Sequence, residues 1–274
     1  SELWSQCVLA VAWVQQVFLK CVKEGEVKMK IAENLFDLNG KNAVVVGGAG
    51  GIGQAIAQGL AMYGANVVIA SRKVESLQRA QKEIKESCGC EVIYYTVDAG
   101  AEESVKELYE KTVQQLKHID ILVNAQGFNK KYPITEMDAK VWDQMFQVNV
   151  KSVMLTMKYY GRHMKEDVGK GKIINLSSVR GIRACGGGNS GYGATKGAVD
   201  MLTRMAAKDL GPYVYVNAIG PTITYTPMME GILPSDPKER AAKAANMPLQ
   251  RIGEPQDCVG PAIFLASAAS DFVS

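Results

Sequence analysis

The stretch Ala43-Val44-Val45-Val46-Gly47-Gly48-Ala49-Gly50-Gly51-Ile52-Gly53 decides how this chain is read. Its apolar half is continuous rather than alternating, as a strand covered on both faces requires. Its glycine half lets the backbone turn sharply and approach a pyrophosphate, whose charge meets the amide hydrogens of a helix N-terminus. A glycine-rich turn can serve steric ends alone, but between a buried first strand and a helix it points to a nucleotide. The pattern continues outward from there. Strands are predicted at Ala43–Gly47, Asn66–Ala70, Glu91–Val97, Ile121–Val123, Lys172–Leu176 and Val214–Ile219, with helical patterns at Gly51–Tyr63, Lys73–Glu86, Glu102–Lys117, Ala139–Met164 and Tyr192–Leu210. Such alternation implies right-handed crossovers and a parallel sheet with helices on both faces. In this doubly wound α/β fold, ligands bind beyond the carboxyl ends of the strands. No linker or composition break divides the body, which reads as one domain over residues 36–274 after an extension, residues 1–35.

Strand two ends at Ala70-Ser71-Arg72-Lys73, without the acidic residue that would hydrogen-bond the ribose hydroxyls of NAD(H). Ser71 and Arg72 suit a 2′-phosphate instead, Arg72 through charge-assisted hydrogen bonds, so NADP(H) is favoured over NAD(H). The plainer alternative is that Arg72 opens a solvated helix. Asp98, which closes strand three, can accept from an adenine amino group or cap the next helix.

At the other end of the chain, Tyr192 and Lys196 stand four apart at the start of a helical pattern and share one face. A phenol ordinarily titrates at about 10, too high for proton transfer at neutral pH. A neighbouring ammonium stabilises the phenolate and lowers that value. Ser178 follows the apolar strand Ile173-Ile174-Asn175-Leu176, where it can hold a substrate oxygen or simply form a turn. Asn149, in Gln147-Val148-Asn149-Val150, is an amide among apolar neighbours and needs a partner, structural or catalytic.

In combination, Val46-Gly47-x-x-x-Gly51-Ile52-Gly53, Asn124-Ala125-Gln126-Gly127, Asn149, Ser178 and Tyr192-x-x-x-Lys196 resemble the short-chain dehydrogenases/reductases. Asn217-Ala218-Ile219-Gly220-Pro221 followed by Thr226 extends the resemblance, which runs from about Phe36 to the end. It implies a Rossmann-like fold, with Tyr192 as proton donor or acceptor and Lys196 lowering its pKa while binding the nicotinamide ribose. Ser178 would orient the substrate oxygen, and Asn149 would hold a water relay reaching Lys196. Hydride would pass between the nicotinamide and a carbinol or carbonyl carbon. Gly47, Gly51, Ile52, Gly53, Asn124, Gly127, Pro221, Thr224 and Thr226 would join Ser71, Arg72 and Asp98 around the cofactor. A homo-oligomer, tetramer or dimer, is implied too. Four positions depart from the pattern. Val46 replaces a threonine, Ala125-Gln126 replaces Asn-Ala, and Thr222 replaces a glycine. The chain also stops at Asp271-Phe272-Val273-Ser274, so the final family strand is expected to be absent.

Lys130 and Lys131 follow strand four, and Arg180 and Arg183 lie just past Ser178. They read as solvated surface charge or as cations that suit an anionic substrate. Gly127-Phe128-Asn129-Lys130-Lys131 and the tail from Arg251 to Ser267 are similar to the gluconate 5-dehydrogenase branch of the family. That resemblance implies a sugar acid or polyol interconverted with its keto form. Pro221 to Met247, with Pro227, Pro234, Pro237, Met228 and Met229, reads as a mobile lid, and Gly186-Gly187-Gly188 as a second flexible wall. The lid methionines also allow a 3-oxoacyl thioester or a hydrophobic ketone. A non-catalytic NADPH-binding regulator is the alternative from another class; the presence of both Tyr192 and Lys196 favours an enzyme.

Composition bounds the rest. The chain has 274 residues, 47% hydrophobic and 22% charged, the balance of an ordinary globular protein. A net charge of +3 implies no polybasic surface for nucleic acid. His118 and His163 are too few for a multi-histidine metal cluster, and Cys88-Gly89-Cys90 lacks the spacing of a zinc or redox pair. Six scattered cysteines suit a reduced, cytoplasmic compartment. Leu3–Leu19 is apolar at helical spacing, but four polar residues make it a marginal membrane span and it lacks the flanks of a secretory signal. A surface helix, an oligomer contact or non-native sequence upstream of a start at Met29 remain as readings of that segment.

Overall fold

The computed structural model describes residues 34–226, 229 and 236–274. Leu3–Leu19 and Met29 of the expected extension lie outside the described residues, as do Pro227, Met228 and Pro234 of the expected lid. Phe36–Ser274 forms one compact unit.

Six strands, β1 (Asn42–Val46), β2 (Asn66–Ser71), β3 (Val92–Thr96), β4 (Ile121–Asn124), β5 (Gly171–Leu176) and β6 (Val214–Ile219), make one sheet in the order β3-β2-β1-β4-β5-β6. All pairings are parallel, with Val45 between Ile69 and Val123. The sheet thus has the expected doubly wound form, and each predicted strand end falls within one residue of the observed one. The continuous apolar run of β1 has a direct cause. Ala43 and Val45 face a cluster with Ile56 and Leu60 of α1 (Gly51–Met62). Val44 and Val46 face the opposite cluster with Val105 and Leu108 of α3 (Glu102–Leu116). Full burial of each valine contributes roughly 1.5–3 kcal/mol, so a polar residue at any of these positions would be costly.

Between them, α2 (Val74–Cys88) buries Leu77, Ala80 and Ile84 along one stripe and stops at Gly89, whose left-handed φ of 72° lets its N–H reach Lys85 O. The pattern predicted as one helix over Ala139–Met164 is subdivided. Regular turns occupy α4 (Ala139–Phe146) and α5 (Ser152–Thr156), and widened turns occupy Gln147–Lys151, Met157–Gly161 and Met164–Val168. Asn149 sits inside the first widened turn, a distortion that re-aims a side chain without ending the helix. Among the described residues, three further α-helices follow: α6 (Ser190–Leu210), α7 (Pro237–Ala245) and α8 (Val259–Ala266). Within the expected lid, Pro237 therefore starts a helix, capped by Asp236. Among the described residues, no helix is long and apolar enough to cross a membrane, and no histidine, cysteine and carboxylate cluster could hold a metal ion.

Candidate active site

The strand order reverses between β1 and β4, and a cleft of about 1020 Å³ opens at their carboxyl ends. The glycine turn forms its floor. Gly47 has φ 84°, and a Cβ there would lie 2.5 Å from the main-chain nitrogen of Gln126. A Cβ on Gly53 would lie 2.2 Å from Gly47 O. Neither position accepts a side chain, and the first turn of α1 carries no acidic residue to repel a phosphate. Gly51 and Ile52 line the same end, as do Ser71, exposed Arg72 and Asp98. Asp98 Oδ1 accepts the N–H of Gly100 at 3.0 Å, so it braces the turn before α3 as well as facing the cleft. These residues fit a dinucleotide: a close-approach turn at a helix N-terminus, with an exposed cation just past β2.

At the opposite end, α6 brings Tyr192 and Lys196 to the wall, and the end of β5 brings Ser178. Lys196 is 3% exposed, donates to Leu176 O at 2.6 Å, and holds its Nζ 5.7 Å from the Tyr192 ring centre. Burial pushes its ammonium down from 10.5 to about 8, while the Asp200 carboxylate one helical turn later pulls it upward. Burial raises the Tyr192 phenol; a hydrogen bond with Ser178 and the charge of Arg180 act in the lowering direction. Ser178 is both turn former and cleft residue, since its Oγ accepts the Arg180 N–H at 3.3 Å and caps the turn Val179–Gly181.

Asn149 is fully buried and off the cleft wall. Its Oδ1 accepts the Phe128 N–H at 2.7 Å, and its Nδ2 donates to Phe128 O and Thr195 Oγ1, both at 2.9 Å. It ties the loop after β4 to the first turns of α6. Asn124 also lies beneath the cleft rather than on it, donating to Asn175 Oδ1 at 2.9 Å and accepting from Thr156 Oγ1 at 2.7 Å. Gly127, Pro221, Thr224 and Thr226 reach the wall. So do Lys131, Arg180 and Arg183, whereas Lys130 lies 5.4 Å over the Tyr132 ring and off the cleft. Sequence reasoning did not single out Arg79, Ser152 or Lys243, which also line it. Arg79 carried a signal, as a cation seven residues after Arg72; Lys243 lies on α7, within the expected lid segment.

The family model described as Enoyl-(Acyl carrier protein) reductase matches residues 47–274. The chain belongs to the short-chain dehydrogenase/reductase family. It is 36% identical over 242 residues to gluconate 5-dehydrogenase of Gluconobacter oxydans (strain 621H), an overlap of 88% of this chain and 93% of that protein. It is 34% identical to a 3-oxoacyl-(acyl-carrier-protein) reductase of Thermotoga maritima, covering 86% and 94%. Among solved structures, it is similar to the gluconate 5-dehydrogenase of Burkholderia cenocepacia J2315 in complex with NADP and tartrate. There the TM-score is 0.81 at 32% identity, covering 88% and 93%. This short-chain dehydrogenase/reductase is an oxidoreductase acting on CH–OH groups.

Proposed function

We propose that the enzyme interconverts a secondary alcohol and a ketone of a sugar acid or polyol with NADP(H), in the manner of the gluconate 5-dehydrogenases. The reading rests above all on Tyr192, Lys196 and Ser178 meeting on one cleft whose far end is the glycine turn. Gly47, Gly51, Ile52, Gly53, Gly127, Pro221, Thr224 and Thr226 cradle the cofactor, and Ser71, Arg72 and Arg79 hold the 2′-phosphate. NADP(H) supplies or takes the hydride when bound. Ser178 Oγ and the Tyr192 hydroxyl hold the substrate oxygen, and Tyr192 takes the carbinol proton in oxidation and returns it in reduction. Lys196, with a value of about 8, keeps its charge at neutral pH 5.7 Å from the Tyr192 ring centre, where an ammonium opposes the upward shift that burial gives the phenol. Asn149 fixes the start of α6 through Thr195; with its side-chain amide engaged there, a water relay toward Lys196 would use its main chain. Asn124 supports the site from below. Met154, Met201 and Met205, exposed on α5 and α6, offer apolar surface for a homodimer or homotetramer.

A second reading, reduction of a 3-oxoacyl thioester, is supported by the Thermotoga relative and by Met229 and Met247 on the cleft wall. Turnover of D-gluconate, D-glucitol and a 3-oxoacyl thioester, each followed at the nicotinamide absorbance with NADP(H) and NAD(H), separates the readings. Oxidation of gluconate with NADP is the expected result. Exclusive turnover of the thioester would overturn the substrate class, and binding of NADPH without turnover of any substrate would favour the regulator.

A further inference from the structure

Among the described residues, four buried side-chain polar atoms make no hydrogen bond within the protein: Gln126 Oε1, Asn129 Oδ1, Arg180 Nη1 and Asp200 Oδ2. Gln126, Asn129 and Arg180 all line the cleft. Native proteins leave few such atoms unpaired, and those that face a binding site mark where a ligand completes the network. Gln126 lies on the cofactor side, next to the glycine turn. The other two belong to the substrate end.

The orientation of Asn129 is imposed by its neighbours. Asn189 donates its Nδ2 to Gly186 O at 2.9 Å and Gly187 O at 3.0 Å, leaving its Oδ1 as an acceptor. That oxygen receives Asn129 Nδ2 at 3.2 Å, so the spare atom of Asn129 is necessarily its acceptor oxygen. Asn189 in turn precedes the first residue of α6, the helix that carries Tyr192. Arg180 follows Ser178 by two residues and is anchored to it through its main-chain N–H, while its buried Nη1 makes no hydrogen bond in the protein. A cation and a hydrogen-bond acceptor therefore flank the reacting end. Lys131, Arg183 and Lys243 on the same wall add positive field.

We infer that Arg180 and Asn129 are the specificity-determining subsite for a polyhydroxy carboxylate. Arg180 takes the carboxylate, and Asn129 Oδ1 accepts a hydroxyl hydrogen from a carbon beside the reacting carbinol. The assignment rests on the redox reading above and deepens it. A 3-oxoacyl chain or a simple cyclic ketone brings neither an anion to Arg180 nor a hydroxyl to Asn129. Both groups would then stay unpaired, and polar sites reject ligands that leave their groups unpaired far more strongly than apolar pockets reject an added hydroxyl.

The test compares kcat/KM of the full chain, with NADP, for D-gluconate, its uncharged counterpart D-glucitol, and 3-hydroxybutyrate, an acid without further hydroxyls. Arg180→Gln is expected to reduce the preference for gluconate over glucitol roughly 10- to 100-fold, with part of it recovered in Arg180→Lys. Asn129→Ala is expected to reduce the preference for gluconate over 3-hydroxybutyrate by about 10-fold. Calorimetric titration of gluconate and glucitol into the NADP-bound enzyme should give the same order without turnover. Losses of equal size on all three compounds would overturn the subsite while leaving the sugar-acid reading standing. Turnover of a thioester or plain ketone alone by the wild type would remove the reading and the subsite together.

Discussion

Replacing Lys196 by methionine should abolish turnover and at the same time stabilise the fold, in a way that depends on pH. The ammonium is 3% exposed and its value falls from 10.5 to about 8, chiefly through burial. A base depressed in the folded state costs stability below both values, and the cost fades as pH rises from about 8 toward 10.5, because the unfolded chain keeps the proton longer. The shift corresponds to about 3 kcal/mol of destabilisation at about pH 7 and about 1.5 kcal/mol at about pH 9.5. Methionine keeps much of the apolar stem but loses the bond to Leu176 O, about 1 kcal/mol at any pH. The variant should therefore be more stable than wild type by about 2 kcal/mol at neutral pH, with the difference shrinking toward zero near pH 9.5. Urea unfolding of both proteins at the two pH values measures it. A stability difference that stays the same at both would refute the claim that a buried charge is held at this site.

Three further substitutions probe the rest of the cleft. Arg72→Asp should weaken NADPH binding by about 10- to 100-fold and NADH binding far less, measured by fluorescence titration; equal losses would reject the 2′-phosphate assignment. Gly47→Ala combines a φ of 84° with a Cβ 2.5 Å from a backbone nitrogen, so it should destabilise by more than about 2 kcal/mol and eliminate cofactor binding. Normal melting and normal NADPH affinity in that variant would contradict the cradle. Asp200→Asn removes the charge that raises Lys196, so the alkaline limb of kcat should move to lower pH; an unmoved limb would show that Asp200 exerts no control.

The strands were legible because a strand buried on both faces has no alternative to an unbroken apolar run, and Val44-Val45-Val46 divides between two cores. The widened turn at Asn149 was not legible, because apolar periodicity continues through it and the partner of its side chain, Phe128, is distant in sequence. The motif positions also carried more than one meaning. Asn124 and Asn149 keep the spacing of the family pattern, yet their side chains are engaged beneath the cleft, whereas Ser178 and Tyr192 face into it. Asn129 carries no sequence signal of its own, because its orientation depends on Asn189, which reaches it only after the chain has crossed the sheet. Lys130 and Lys131 are adjacent in sequence, but Lys130 is drawn to the Tyr132 ring while Lys131 lines the cleft.

The central claim is that the Tyr192 phenol moves the proton at a site where Lys196 and Ser178 converge, and Tyr192→Phe tests it most directly. The hydroxyl is removed while the half-buried ring can remain in place. Turnover of the best substrate should fall about 100- to 10,000-fold, with NADPH affinity within about 3-fold of wild type. A variant that keeps more than about a tenth of wild-type turnover would contradict the account.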